Sequence, residues 1–176
     1  MRLDLGDGVS IRPYSDDDLD SLVRSANNAN VRRYLVDRFP YPYTRGDASS
    51  WLAEVKRQDP LTSFAIAEAG SVIGGIGLQI GTDIYRVTAD LGYWLSQDHW
   101  GRGIATRAVR AFTRWAFDSF PLERLQAGVF ASNAASCRVL EKCGFSCDGR
   151  LRRSVVKEGV VMDQLLYAIL RTELPS

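Results

Sequence analysis

The stretch Asp90-Leu-Gly-Tyr-Trp-Leu-Ser-Gln-Asp-His-Trp-Gly-Arg-Gly-Ile-Ala-Thr106 decides the fold, because its pattern changes period in the middle. Up to Ser96 it is apolar and strand-forming. Gly101 and Gly103 break that pattern, and from Ile104 apolar residues recur at helical spacing through Ala108, Ala111, Phe112, Trp115 and Ala116. A strand, a glycine loop and an amphipathic helix therefore follow one another, and Pro121 marks the stop. Glycine opens dihedrals closed to other residues, and the first amides of a helix have no carbonyl to bond within it. The amides of Arg102, Gly103, Ile104, Ala105 and Thr106, at the positive end of the helix dipole, are expected to hold an anion such as a pyrophosphate. Glycines at a helix start also serve simply to shape a turn, so this stretch alone leaves both readings open.

A second strand-to-helix junction stands further along. Arg124 to Ala131 reads as a strand and runs directly into Ser132-Asn-Ala-Ala-Ser-Cys-Arg-Val-Leu-Glu-Lys-Cys-Gly-Phe145. The two motifs, Trp-Gly-Arg-Gly-Ile-Ala-Thr followed by Asn-x-x-Ser-x-x-x-Leu-Glu-x-x-Gly-Phe, strongly resemble the GNAT superfamily of acyl-CoA-dependent N-acyltransferases. Within it the chain looks most like the branch that includes the ribosomal-protein N-terminal alanine acetyltransferases. The resemblance covers nearly the whole chain: Val9-Ser-Ile-Arg-Pro-Tyr, Asp90-Leu-Gly-Tyr-Trp and Gly159-Val-Val-Met-Asp-Gln-Leu-Leu-Tyr-Ala168 are similar to that branch and fall in its order. One position departs. Where many members carry Gln or Arg in a Gln/Arg-x-x-Gly-x-Gly/Ala pattern, this chain has Trp100, with Gly103 and Ala105 completing it. That swap is common in the alanine acetyltransferase-like branch, and phosphate contacts made by backbone tolerate it.

The resemblance implies an acetyl-CoA-dependent N-acetyltransferase, with acetyl-CoA as co-substrate and an amine acceptor, either a protein N-terminal α-amine or a small-molecule amine. It implies that the cofactor's pyrophosphate lies on Gly101 to Thr106. It also implies that the strands before the two helices splay apart at the cofactor site, with the pantetheine arm in the gap. A backbone N–H of strand 91 to 96 would polarise the thioester carbonyl, and Leu95 of that strand is expected against the cofactor. Asn133 is expected to bond the pantetheine amides, since an amide side chain both donates and accepts; capping its own helix is the structural alternative. Ser136 is expected near the sulfur, to stabilise or protonate the leaving thiolate, with a capping role as its alternative. Asp90 is the expected general base, with a surface salt bridge as its structural alternative, and Glu68 is the runner-up, although an α-amine of pKa about 8 is partly neutral without help. Tyr93, three residues from Asp90 in a strand, faces the other side of the sheet. The aromatic 34 to 43 segment and the Arg150 to Arg153 run are weaker candidates for acceptor contacts.

The whole-chain numbers set the other bounds. The 176 residues, 45% apolar and 24% charged, suit a single domain over 1–176. Lys and Arg number 22 against 21 Asp and Glu, so a net charge of +1 gives no field to draw nucleic acid or a membrane surface. The N-terminus lacks an apolar signal core and no run approaches the roughly 18 apolar residues of a membrane span, which reads as cytoplasmic. Cys137, Cys143 and Cys147 are an odd number, and with His99 as the one histidine they match no zinc spacing; no metal is expected. A homodimer is compatible with these bounds. A non-catalytic CoA-binding regulatory module is the alternative function. A P-loop enzyme is set aside, because the glycine loop lacks a Gly-Lys-Ser/Thr ending.

Strands are expected at Val9 to Tyr14 (on a sheet edge, stopped by Pro13), 64 to 68, 72 to 80, 86 to 96, 124 to 131, 145 to 155 and 160 to 170. Helices are expected after Ser15 to about Ala26, at 47 to 57, 103 to 117 and 133 to 143. The fold class is α/β, in an α+β layered arrangement: a mixed, largely antiparallel sheet of about seven strands flanked by helices, of GNAT type.

Overall fold

A computed structural model describes residues 1–174 and shows eight strands and five α-helices among them. The strands are β1 (Leu3–Gly6), β2 (Val9–Arg12), β3 (Ser63–Glu68), β4 (Ser71–Ile80), β5 (Thr88–Leu95), β6 (Arg124–Phe130), β7 (Ser146–Lys157) and β8 (Val160–Leu170). The helices are α1 (Leu19–Ala26), α2 (Ala29–Arg32), α3 (Arg45–Val55), α4 (Ile104–Ser119) and α5 (Ala134–Lys142). The sheet order is β1-β2-β3-β4-β5-β6-β8-β7. Pairs β1–β2, β2–β3, β3–β4, β6–β8 and β7–β8 are antiparallel, and β5–β6 is parallel. No helix among the described residues is long and apolar enough to cross a membrane.

The chain forms two compact units, Met1–Gly77 with Tyr93–Ala108, and Leu78–Gly92 with Val109–Ser176. In the first, Leu22, Ala26, Tyr43, Ala48, Leu52, Ala65 and Val72 form a core against which Tyr14, Trp51, Phe39 and Trp94 pack. The link from β2 to α1 is fixed by charge. The Arg12 guanidinium donates to both oxygens of buried Asp18 at 2.8 and 2.7 Å, and the Ser15 amide donates to the same carboxylate at 2.8 Å. A bidentate charge-assisted pair of this kind also sets direction, which turns the chain from strand to helix. In the second unit, buried Leu125, Ala127 and Val129 of β6 alternate with outward residues. Cys137 and Leu140 of α5 are buried too. The Tyr167 hydroxyl of β8 donates to Glu141 of α5 at 2.8 Å, and burial pushes its pKa up.

The mixed, largely antiparallel sheet flanked by helices is as expected, with eight strands. One expectation is corrected: Val9–Arg12 is not an edge strand, because β1 pairs with it through Leu3↔Ile11 and Asp4↔Ser10. Residues Gly6, Asp7 and Gly8 all take positive φ and close this hairpin. The helix after Ser15 begins as a 3-10 turn at Asp16–Asp18 before α1.

Candidate active site

The anion loop lies between the end of β5 and the start of α4, within the first unit. Gly101 and Gly103 take φ of 75° and 72°. A Cβ built on either would meet nothing within 4 Å, so the loop presents open space over both glycines. The first helical hydrogen bond runs from the Arg107 amide to the Gly103 carbonyl at 3.1 Å. The amides of Gly103, Ile104 and Ala105 therefore precede any i−4 partner and point out of the helix end. Ile104 is buried and anchors the first turn, while Gly101, Arg102 and Gly103 are exposed and Ala105 and Thr106 half-buried. This is a ready anion cradle made of backbone.

The approach to the loop is held at several points. The Ser96 amide donates to Ile73 O at 2.7 Å, ending β5. The Trp100 indole donates to Leu95 O at 2.8 Å, which gives the departure at that position a structural task. Gln97 Oε1 accepts from the amide groups of Asn28 and Asn30 at 3.0 and 2.9 Å. Arg102, between the two glycines, donates to Glu68 at 2.5 Å, and His99 Nε2 stands 3.2 Å from the same carboxylate. The Arg102 hydrogen bond foremost, with support from His99, holds Glu68 below the usual carboxylate range. A cavity of about 460 Å³ borders this cluster, lined by Arg24, Asn28, Glu68, Ser96, Gln97 and His99 among others. The sequence reading missed this network; its one local signal was the solitary histidine beside the loop.

Asn133, Ser136 and Asp90 lie in the second unit. Asn133 caps α5, its Oδ1 accepting from the Ser136 amide at 3.2 Å, so the capping alternative describes its oxygen and leaves the NH2 group to be spent elsewhere. Ser136 is half-buried one turn into that helix. Asp90 is exposed in β5 and opposite Gln126 in the parallel β5–β6 register, accepting from that side-chain amide at 3.0 Å. The partner of the carboxylate there is a neutral amide rather than a cation. In the Arg150 to Arg153 run, the Arg153 backbone amide donates to Asp163 at 2.8 Å and Arg150 Nε donates to it at 2.6 Å, which together lower the Asp163 pKa. In the 34 to 43 segment, Phe39 packs at 5.1 Å from Tyr43 and 5.8 Å from Trp94, while Tyr41 stays exposed. Cys137 and Cys143 are buried and Cys147 exposed, and desolvation raises the Cys143 thiol.

Comparison with known proteins agrees with this geometry. A family profile described as "Acetyltransferase (GNAT) domain" matches residues 9–146. YjcK of Bacillus subtilis, assigned by name to the N-acetyltransferases, is 44% identical over 86 residues; the match spans 49% of this chain and 48% of that protein. The spermidine N(1)-acetyltransferase of Escherichia coli K12 is 27% identical over 163 residues, covering 93% of this chain and 86% of that one. Among solved structures, Mycobacterium smegmatis RimJ in complex with CoA-disulfide superposes with a TM-score of 0.84 at 26% identity, covering 96% of this chain and 84% of that one. The chain is a member of the GNAT acetyltransferase family.

Proposed function

We propose that the protein transfers an acetyl group from acetyl-CoA to a primary amine by direct attack of the amine on the thioester. The observation that carries this reading is the anion loop, where two left-handed glycines with open space over their α-carbons lead into the first amides of α4, those of Ile104 and Ala105, which precede any i−4 carbonyl of the helix. That cradle fits the pyrophosphate of CoA. The relative RimJ, whose structure contains CoA-disulfide, supports the same ligand. Acetyl-CoA supplies an activated acyl group on a good leaving thiolate. The chain's part is to bind it, to aim a strand amide at the developing oxyanion near Leu95, to take the amine proton at Asp90 and to support the leaving sulfur through Ser136. The NH2 group of Asn133 is suited to a pantetheine carbonyl. Direct attack is favoured over an acyl-enzyme because Cys137 and Cys143 are buried, the thiol of Cys143 is also raised, and His99, the one histidine that could activate a thiol such as the exposed Cys147, is instead placed between Ser96 and Glu68.

The favoured acceptor is a protein N-terminal α-amine, on the motif likeness to the ribosomal-protein branch. A polyamine is the second reading, which the similarity to a spermidine acetyltransferase favours. The test is release of CoA thiol from acetyl-CoA in the presence of peptides with free N-terminal alanine or serine, of spermidine, and of no acceptor. Turnover with peptides above the other two arms is expected. Turnover with spermidine alone overturns the peptide reading, and tight acetyl-CoA binding without turnover on any amine identifies a non-catalytic CoA-binding module.

A further inference from the structure

Ser96, His99, Glu68 and Arg102 form a continuous chain of contacts around the loop. Ser96 Oγ lies 2.5 Å from His99 Nδ1, His99 Nε2 lies 3.2 Å from Glu68 Oε2, and Arg102 Nη2 donates to Glu68 Oε1 at 2.5 Å. Because the carboxylate accepts only, the consistent arrangement for a neutral imidazole is Nε2–H donating to Glu68 and Nδ1 accepting from the Ser96 hydroxyl. A serine, a histidine and a glutamate in series suggest a nucleophile, but three features turn that reading away. Ser96 is 6% exposed, its own amide is spent on Ile73 O, and Glu68 is already engaged by Arg102. The chain instead joins the last residue of β3, the residue after β5 and the loop itself.

We infer that Glu68 and His99 are positioning residues that preset the cofactor loop, so that the glycine backbone and the first amides of α4 are ordered before CoA arrives. This rests on the proposed CoA reading and assigns the loop's order to two side chains outside it or at its edge. Glycines at 101 and 103 give a flexible backbone, and a flexible loop must lose that freedom on binding unless something already holds it. Glu68 holds it from β3 through Arg102, and His99 ties the same carboxylate to Ser96. Asp98 and Arg24 border the same cavity, and Asp7 sits 3.4 Å from Arg107 in the first turn of α4. The role differs from that of a general base: Glu68 accepts from two donors and is held below the usual carboxylate range, which suits an anchor better than a proton acceptor.

The test measures CoA affinity by calorimetry, and KM for acetyl-CoA against kcat, in Glu68→Ala, His99→Ala and His99→Gln. Glu68→Ala is expected to raise the CoA Kd and the acetyl-CoA KM by roughly 3- to 30-fold, the range for losing one or two charge-assisted hydrogen bonds, with kcat held within about twofold. His99→Ala should do less, and His99→Gln, which restores a donor toward Glu68, should recover part of the loss. The double variant Glu68→Ala/His99→Ala should be no worse than Glu68→Ala alone, since both act through one contact. Unchanged or tighter CoA binding in Glu68→Ala overturns the inference. So does a fall in kcat with KM unchanged, which would make Glu68 the base. Wild-type binding is the control that separates the two claims: if wild type binds no CoA the functional reading fails, and if it binds CoA while the variants match it, only the preset loop fails.

Discussion

Ser136 is placed by Asn133, whose side chain receives the Ser136 amide and so fixes the first turn of α5 around the hydroxyl. A hydroxyl that supports a leaving thiolate acts mainly in the transition state, so Ser136→Ala is expected to lower kcat roughly 10- to 1000-fold with acetyl-CoA Kd little changed. Steady-state kinetics beside calorimetry checks this, and an unchanged kcat would reduce Ser136 to a member of the helix cap. Asp90 makes a different forecast. Its carboxylate is exposed and bonded to Gln126, and Asp90→Asn keeps the size while removing the charge. If Asp90 takes the amine proton, the loss in rate is large near neutral pH and shrinks as rising pH supplies neutral amine, whose α-amino pKa is about 8. A loss equal at every pH removes Asp90 from the base role and leaves a water chain to do the work.

Among the elements, α3 tests the local rules most cleanly. Thr44 caps it, accepting from the Asp47 amide at 3.2 Å, while the Asp47 carboxylate returns to the Thr44 amide at 2.8 Å. Thr44→Ala is expected to cost about 1 kcal/mol, a melting-point drop of roughly 2–4 °C for a chain of this size. The hydroxyl and amide of Thr44 lower the Asp47 pKa. Its folded value lies below its unfolded one, so its stabilising contribution is present above the unfolded carboxylate pKa and is lost as pH falls through the folded value. The melting-point gap between wild type and Asp47→Asn should therefore close on acidification and stay open at neutral pH. Elements of this kind were legible in the sequence because their signals are local: the apolar stripe on α4 repeats every three or four residues, and the Asn133 cap lies within one turn of its helix. β1 was not legible, since only Leu3 and Leu5 alternate before Gly6, Asp7 and Gly8, too short a pattern to outweigh its turn residues. The Glu68 network was hidden for another reason. Its partners are 31 and 34 residues apart, and that pairing is made by sheet register, which no spacing rule contains.

At the scale of the molecule, the net charge of +1 gives no long-range attraction for a polyanionic cofactor, so affinity must come from the loop at short range. Ligand binding to the folded state alone adds stability by mass action. At a hundred times its Kd, acetyl-CoA should add about 2.7 kcal/mol and raise the melting point by roughly 5–11 °C. The central claim is that Gly101 to Thr106 grips that ligand through backbone, and calorimetric titration of acetyl-CoA into wild type and Gly103→Val tests it most directly. Valine at φ 72° is strained by about 1–3 kcal/mol even though no atom obstructs its Cβ, and its side chain would project into the open space over the loop. Saturable binding to wild type, weakened at least about tenfold in a Gly103→Val protein that still melts cooperatively, is the predicted result. Equal affinity in the two folded proteins, or no binding to wild type, would contradict it.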